Sequence, residues 1–484
     1  MVPEINFDKP RNSQKMVSLI KSNLLIPIRS VTMTFFISLL LSMAFPVSGQ
    51  SSYSWKVGGH KSRITPQSPL WMAGYASRNQ PAQGKYGELW LKVLALEDQQ
   101  GNRVIVVSSD LLGFPKRMSD NIRTAIYQQY GLSRSQVILN SSHTHSGPVL
   151  EAALFDIYPL KDQGRQAISR YSQKLEKSVV ESVGKALANM KPSRLYSGRG
   201  TARFQVNRRN NKESDIHLLT ELKGPMDHAV PVIKISDMQD RLTHILFGYA
   251  CHPTVLSDYQ WSGDFPGYAQ EALEANHPGA MALFFQGAAG DQNPLPRRSL
   301  SLAVQYGNTL AAAVDQVLAE KMTPLASAIQ HAYQEIDLAL QPPPGREELE
   351  KMVANQQGYM KTWALRMLEE IKNQKPIPTS YPFPLQILKL GDYPIFNMGG
   401  EATIGYANKL KEKYGPDIFV MAYSNDVMGY IPTEKILEEG GYEGYSSQMV
   451  YGLPNAWKPG LEEQILDAFD TLARQIQISP LKSK

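Results

Sequence analysis

Short apolar runs alternate with longer amphipathic stretches along residues 51–478. The runs LWLKVLALED, NRVIVVSSD and QVILN are rich in β-branched and other apolar residues and lie between polar turns, a pattern typical of strands. Residues 161–190 instead repeat apolar side chains at helical spacing, at Ile168, Tyr171, Leu175, Val179, Val183 and Ala186. This alternation predicts an α/β fold of mixed β-sheets flanked by helices.

The remainder of the chain continues the pattern. The segments HAVPVIKIS, RLTHILFGYA and ALFFQ predict strands, as do residues 385–398 and 417–422. Helices are predicted at 118–131, 303–320 and 346–372, from FPGYAQEALEANH onward, and after Pro459-Gly460. No internal repeat or firm boundary divides residues 51–478. We therefore predict one large catalytic domain over residues 50–478 and a short tail over residues 479–484.

The N-terminal segment is predicted to be a targeting signal. Residues 34–46, TFFISLLLSMAFP, are apolar but shorter than the ~20 residues of a membrane-spanning helix. A long basic region precedes them, and the small residues Val47-Ser48-Gly49 follow, as before a cleavage site. We predict a signal peptide over residues 1–49, with translation starting at Met1, Met16 or Met33, and export to the periplasm, cell surface or medium. The alternative is an uncleaved membrane anchor.

Composition excludes several classes of protein. Hydrophobic residues make up 42% and charged residues 20% of the chain, which excludes wholesale disorder. The formal charge is only +5 and the basic residues are not clustered, so nucleic acid is not an expected partner. The single cysteine, Cys251, excludes a disulfide framework and cysteine-based metal sites. Any metal must therefore be bound by histidine, carboxylate or tyrosine oxygen.

Three of the nine histidines follow predicted buried strands. His143 and His145 lie in NSSHTHSGP, and His252 lies in GYACHPTVLS. Strand ends are where α/β proteins place active sites. Residues two apart in an extended segment point to one side, so His143 and His145 either bind one metal together or divide into a ligand and an acid/base. The other histidines are expected at the surface or satisfied in the core: His60, His217, His228, His244, His277 and His331.

Two glycine-containing loops carry polar residues in apolar surroundings. In FFQGAAGDQNP the glycines either let the backbone approach a ligand near Asp291 or form a tight turn, and no Walker phosphate loop is present. In FNMGGEATIGYA the pattern predicts that Glu401 caps a helix. Tyr430 and Tyr442 are, on pattern alone, core aromatics. The sequon at Asn140 adjoins the histidine pair and is interpreted as structural.

Taken in order, these segments resemble the neutral/alkaline non-lysosomal ceramidase family. The resemblance runs from residue 56 to residue 478 through GGHKSRITP, WMAGYASR, THTHSGP, FQVNRR, SGDFPGYAQ, the GD loop, GGEAT and the two tyrosines. It implies one Zn²⁺ per chain, bound by His143, His252, Glu401 and Tyr430. It also implies that His145, Arg208 and Tyr442 are catalytic residues.

The implied reaction is hydrolysis of the N-acyl amide bond of ceramide or a related lipid by zinc-activated water. Tyr442 and His145 would donate hydrogen bonds to the oxyanion, and His145 would pass a proton to the amine. Arg208 would orient a polar substrate group. Asp264 would either support a histidine or form a turn. The expected partner is a lipid-like N-acyl substrate that could be presented at a membrane surface, with no obligate protein partner.

Two departures from the family pattern leave alternatives open. A serine usually follows the aspartate of the GD loop, but here Gln292 and Asn293 stand near that place, and an amide cannot act as a nucleophile. The sequence also stops after one predicted C-terminal helix, so we expect the immunoglobulin-like C-terminal domain that is common in the family to be absent. The alternatives are therefore a zinc hydrolase of a non-lipid amide or ester, and an inactive lipid-binding relative.

Overall fold

The computed structural model describes residues 54–154 and 156–481, so the predicted signal peptide lies outside the described residues. The strands are β1 Trp55–Arg63, β2 Gly84–Lys85, β3 Trp90–Glu97, β4 Arg103–Ser109, β5 Val137–Ser141, β6 Lys191–Thr201, β7 Gln205–Asn207, β8 Ala229–Asp237, β9 Leu242–Tyr249, β10 Gln260–Trp261, β11 Met281–Gln286, β12 Gln292–Pro294, β13 Thr323–Pro324, β14 Ile329–Ala339, β15 Ser380–Leu390, β16 Tyr393–Met398, β17 Glu401–Ala402, β18 Phe419–Met421 and β19 Tyr430–Ile431.

The helices are α1 Lys116–Tyr130, α2 Asp162–Ala188, α3 Asp264–Asn276, α4 Leu300–Ala319, α5 Arg346–Asn355, α6 Gly358–Lys372, α7 Ile404–Tyr414, α8 Glu434–Glu439, α9 Ser447–Val450 and α10 Leu461–Gln475. One prediction is wrong, because residues 346–372 form two helices instead of one. Gly358 has φ +58°, a left-handed conformation that interrupts a right-handed helix and that glycine adopts readily. The break lets Leu349 of α5 and Trp363 of α6 share one buried cluster.

The main sheet has the strand order β11-β9-β8-β6-β1-β3-β4-β5, with β13 also paired to β6. Its outer pairs, β9–β11 and β4–β5, are parallel, whereas its central pairs are antiparallel. A second sheet has the order β14-β15-β16-β18. These mixed sheets with flanking helices confirm the predicted fold class.

The two sheets pack face to face, with helices on their outer surfaces. In β3, Leu91 and Val93 pack in the cluster that contains α1 and α2, whereas Leu94 and Leu96 pack towards the second sheet. Alternate residues of one strand thus enter different cores, which explains why the run is continuously apolar. Each fully buried leucine contributes about 2 kcal/mol by leaving water. Helices α3 and α4 cover β9 and β11, and α7 and α10 cover the second sheet.

The side chain of Asn140 joins three strand ends. Its Nδ2 donates to the carbonyl oxygen of Ala422 at 2.7 Å and to Ser424 Oγ at 2.8 Å, while its Oδ1 accepts from the backbone N–H of Gln286 at 3.0 Å. Asn140 is fully buried, which confirms the structural interpretation of its sequon. The carboxyl ends of β5, β11 and β18 therefore meet at one place.

The described residues form one compact unit. Among the described residues, none of the helices combines the length and the apolar character needed to cross a bilayer.

Asp426 is a buried carboxyl group whose protonation is linked to folding. Tyr381 Oη donates to its Oδ2 at 2.7 Å, and its Oδ1 has no hydrogen-bond partner among the described residues. Burial raises the pKa of Asp426 to about 7, against the opposing effects of Tyr381 and Lys116. Since the folded-state pKa exceeds the unfolded value, this contribution to stability is complete below about pH 4 and is lost as the pH rises through about 7.

The substitution Asp426→Asn keeps the shape of this side chain and removes its titration. Between pH 5 and pH 7 the free energy of unfolding of the wild type is expected to fall by about 2 kcal/mol relative to the variant. Urea denaturation at both pH values measures this difference. The matched control is Asp392→Asn at a fully exposed carboxylate, where we expect no such change. An equal difference between wild type and Asp426→Asn at both pH values would contradict the linkage.

Candidate metal centre

The four predicted metal ligands come from four separate segments and meet in the interior. His143 follows β5 and His252 follows β9, while Glu401 and Tyr430 begin β17 and β19. The strands β17 and β19 pair in parallel with Glu401 opposite Tyr430. All four residues are at least 97% buried, with exposed fractions of 0% for both histidines, 2% for Glu401 and 3% for Tyr430.

The polar atoms of these side chains converge on one point. Glu401 Oε2 lies 3.1 Å from His143 Nε2 and 3.0 Å from His252 Nε2. Tyr430 Oη lies 3.3 Å from His252 Nε2. His145 also faces this point, with its Nε2 3.3 Å from His143 Nε2. Ring nitrogens of the three histidines all lie within 4.8 Å of one another, a spacing that could hold a metal ion.

Backbone carbonyl groups set the tautomers of two histidines. His143 Nδ1 lies 2.6 Å from the carbonyl oxygen of Leu112, and His252 Nδ1 lies 2.6 Å from that of Ala289. A carbonyl oxygen only accepts hydrogen bonds, so each Nδ1 carries a proton and donates it. Burial lowers the pKa of His252 to about 4, so its ring is neutral at pH 7 and its Nε2 presents a lone pair to the centre.

The cluster brings two acceptors against each other. The Nε2 lone pair of the neutral His252 ring lies 3.0 Å from the carboxylate oxygen Oε2 of Glu401, with no proton to share between them. Such an arrangement of buried acceptors is stabilised by a cation. Imidazole nitrogen and carboxylate oxygen are ligands that zinc and related divalent ions prefer in proteins. The side chains present therefore fit a divalent metal ion.

Sequence patterns did not reveal the groups that hold these ligands in place. Tyr451 Oη donates to Glu401 Oε1, and the Tyr423 ring packs on the His143 ring with 4.4 Å between centroids. Neither tyrosine belongs to a recognisable motif. The suggestion that Asp264 supports a histidine is wrong. Its two oxygens accept backbone N–H groups of Leu256 and Phe265, because it forms the turn that starts α3.

The GD loop is a scaffold for the centre. A Cβ atom at Gly290 would lie 2.5 Å from the carbonyl oxygen of Glu401, so the loop can lie against β17 only with glycine there. Asp291 Oδ1 accepts from the N–H of Ile404 at 2.8 Å, and its Oδ2 accepts from Asn207 Nδ2 at 2.8 Å. The loop thus connects two neighbouring segments behind the predicted ligands.

Three local predictions are wrong for reasons of tertiary structure. Glu401 does not cap a helix, because α7 begins three residues later at Ile404. Tyr430 lies in the polar cluster and Tyr442 is 43% exposed, so neither is a simple core aromatic. His143 and His145 share one side because His143 has φ +65°, which turns the chain, and not because the segment is extended.

Arg208 and Tyr442 lie where the centre opens to solvent. Arg208 Nη2 donates to Tyr430 Oη at 3.1 Å, and its Nε donates to Glu443 Oε1 at 2.7 Å. The Tyr442 ring lies 5.3 Å from the Tyr430 ring. Both residues line a cleft of about 570 Å³, together with His145. The sequence patterns missed Glu443, whose carboxylate holds Arg208 in position.

Comparison with known proteins places the chain in a family. The family described as "Neutral/alkaline non-lysosomal ceramidase, N-terminal" matches residues 55–324. Neutral ceramidase of Pseudomonas aeruginosa is 25% identical over 272 residues, which are 53% of this chain and 39% of that protein. Neutral ceramidase B of Dictyostelium discoideum is 26% identical over 273 residues, 52% of this chain and 36% of that protein. The aligned region therefore spans less than half of these curated relatives.

The fold extends the similarity beyond the aligned sequence. The crystal structure of neutral ceramidase from Pseudomonas aeruginosa superposes with a TM-score of 0.67 at 19% identity, covering 89% of this chain and 76% of that one. A structure described as "Ceramidase complexed with C2" gives a TM-score of 0.68 at 17% identity, covering 89% and 77%. Since the family match covers residues 55–324, more than half of the sequence, the chain belongs to the neutral/alkaline non-lysosomal ceramidase family.

Proposed function

We propose that the protein is a zinc-dependent hydrolase of N-acyl amide bonds. The observation that carries this proposal is the convergence of His143, His252, Glu401 and Tyr430 in one buried cluster beside an open cleft. Zinc bound there would act as a Lewis acid and lower the pKa of water towards ~7. Two relatives of this chain are described as neutral ceramidases, and this description supports an amide bond as the bond that is cleaved.

His145 is the residue best placed to move a proton. Its Nε2 faces the predicted ligands, its ring lines the cleft, and its Nδ1 has no hydrogen-bond partner among the described residues. Burial lowers the pKa of His145 well below its usual value, so the ring is neutral and can take up a proton only transiently. We assign it the transfer of a proton to the departing amine.

Tyr442 and Arg208 act on the cleft side. The Tyr442 hydroxyl can donate to the oxygen that becomes negatively charged when the amide carbonyl is attacked. Arg208 holds the Tyr430 hydroxyl and is itself held by Glu443. Asn293 also lines the cleft and cannot form an acyl intermediate. An amide in place of a serine at this position supports direct attack by water.

The substrate expected from the family is ceramide or a related N-acyl lipid. We also propose that the N-terminal segment directs export of the protein, which would meet this substrate outside the cytoplasm. A second candidate, a more polar N-acyl compound, is favoured by the cleft itself. Its lining includes Arg209, Asn211 and Arg297, and Leu295 is the one aliphatic side chain among the described lining residues. An acyl lipid with two long chains would gain more from an apolar groove.

Metal analysis together with hydrolysis assays tests the proposal. The purified protein is expected to contain about one equivalent of zinc and to hydrolyse C12-ceramide or N-hexanoylethanolamine until a chelator is added. In His143→Ala, zinc content and kcat/KM should both fall, kcat/KM by on the order of 10³-fold, because a ligand is lost. The control His277→Ala, which removes an imidazole paired with Asp315, should retain both. Stoichiometric zinc or unchanged hydrolysis in His143→Ala would contradict the proposal.

A further inference from the structure

One wall of the cleft contains polar groups that the hydrolytic chemistry does not use. Tyr75 Oη donates to the carbonyl oxygens of Thr254 and Leu256 at 3.3 and 2.9 Å. The backbone N–H of Arg298 donates to the carbonyl oxygen of Val255 at 2.8 Å. These bonds tie three segments of the chain into a single wall, which we call the Thr254 wall and define by Tyr75, Thr254 and Arg297.

Thr254 presents a buried hydroxyl group without a partner. The residue is 2% exposed and lines the cleft, and its Oγ1 has no hydrogen-bond partner among the described residues. Buried hydroxyl groups are normally hydrogen-bonded, because leaving one unpaired is unfavourable. The hydroxyl thus retains unused hydrogen-bonding capacity beside the cleft.

Arg297 contributes positive charge to the same wall. Its Nε donates to both carboxylate oxygens of Glu213, at 2.9 and 2.8 Å, and its Nη2 donates to Oε2 of the same carboxylate, whereas its Nη1 takes no part in these contacts. Arg298 lies 3.9 Å from the same carboxylate and 5.7 Å from the Tyr75 ring centre. Two arginines therefore share the single charge of Glu213, so these three side chains together carry one net positive charge.

The Thr254 wall lies on the side of His145. The ring centroids of Tyr75 and His145 are 4.8 Å apart, and the backbone N–H of His145 donates to the carbonyl oxygen of Pro253 at 3.4 Å. If His145 protonates the amine, then the amine portion of the substrate occupies this side of the cleft. This step rests on the proposed function.

We propose that the amine portion of the substrate carries an anionic group, a carboxylate or a phosphate, that binds to the Thr254 wall. Arg297 Nη1 donates to the anionic oxygens, and Thr254 Oγ1 supplies a second hydrogen bond. Charge-assisted hydrogen bonds of this kind are among the strongest that proteins make. The preferred substrate class is therefore N-acylated amino acids or N-acylated phosphoamines, in preference to neutral N-acyl amines.

Three N-hexanoyl amides with identical acyl chains test this inference. N-hexanoylglycine carries a carboxylate, N-hexanoyl-O-phosphoethanolamine a phosphate, and N-hexanoylethanolamine no charge. We expect the wild type to hydrolyse at least one anionic compound with a kcat/KM at least about tenfold above that of the ethanolamide. Which anionic compound is preferred distinguishes carboxylate from phosphate.

Variants assign the preference to the wall. Arg297→Gln should lower kcat/KM for the preferred anionic amide by about tenfold or more, mainly by raising KM. For the ethanolamide, kcat/KM should change by less than about twofold. Thr254→Val should shift the preference in the same direction by a smaller factor. Arg199→Gln, outside the cleft in an ion pair with Asp417, is the matched control and should behave as wild type. Zinc content should be unchanged in all three.

Calorimetric binding of N-hexanoylglycine and N-hexanoyl-O-phosphoethanolamine to metal-loaded protein separates the two proposals. Hydrolysis of the ethanolamide without anionic preference, or an equal loss for all three amides in Arg297→Gln, would overturn the inference and leave the hydrolase assignment intact. Absence of hydrolysis with any N-acyl substrate would overturn the hydrolase assignment. In that case the anion site would still be supported if the wild type binds either compound and Arg297→Gln weakens that binding. If neither compound binds, the anion site is overturned.

Discussion

Glu401→Gln is expected to lose zinc binding and hydrolysis together. Glu401 supplies the one carboxylate in the described cluster, and its Oε2 faces both His143 Nε2 and His252 Nε2. Glutamine keeps the size of the side chain but removes the negative charge that a buried cation needs. Loss of several kcal/mol of stabilisation by the metal corresponds to on the order of 10³-fold in kcat/KM. Competition with a chromogenic chelator measures zinc affinity, and amide hydrolysis measures activity.

Two further variants sharpen this result. Tyr451→Phe removes only the hydroxyl that donates to Glu401 Oε1, so zinc affinity should fall by about 10- to 100-fold, less than in Glu401→Gln. His145→Ala should retain zinc and lose activity. Wild-type zinc affinity in Glu401→Gln together with zinc loss in His145→Ala would instead assign the metal to the three histidines alone.

Gly290→Ala should damage the centre without touching a ligand side chain. The added methyl group would lie 2.5 Å from the carbonyl oxygen of Glu401 and 3.0 Å from that of Ala402. Both contacts are with backbone, so β17 must move and carry Glu401 away from the histidines. We expect a loss of about 1–3 kcal/mol in the free energy of unfolding from overpacking. Zinc affinity should fall by at least about tenfold, which is the smallest loss expected when a residue that supports a metal ligand is displaced.

A second glycine provides the matched control. Gly267 lies in α3, where an added methyl group would meet no atom within 4 Å apart from the adjacent backbone of its own helix. Gly267→Ala should therefore be neutral or stabilise the fold by about 0.4–1 kcal/mol, and zinc affinity should stay at the wild-type value. Urea denaturation and chelator competition on both variants make the comparison. Wild-type zinc affinity in Gly290→Ala would show that the GD loop does not position Glu401.

Much of the local structure and the order of the motifs could be predicted from the sequence. The apolar run of β3 and the helical spacing of α2 depend on neighbours along the chain, and both elements form as predicted. The placement of His143 and His252 after buried strands follows from the same local pattern. Glu401 and Tyr430 entered the candidate set only through the family resemblance, because on pattern alone they predict a helix cap and a core aromatic.

The sequence by itself determined the α/β class, the strand ends that carry the candidate histidines, and the exclusion of cysteine ligands. Only the tertiary structure decided that segments far apart in the chain bring a carboxylate and imidazoles to within 3.1 Å. It also decided which carbonyl groups orient His143 and His252. In the same way, it decided that Tyr451 holds Glu401 and that Glu443 holds Arg208. The physical reason is that periodicity records short-range burial, whereas these contacts depend on how whole sheets pack.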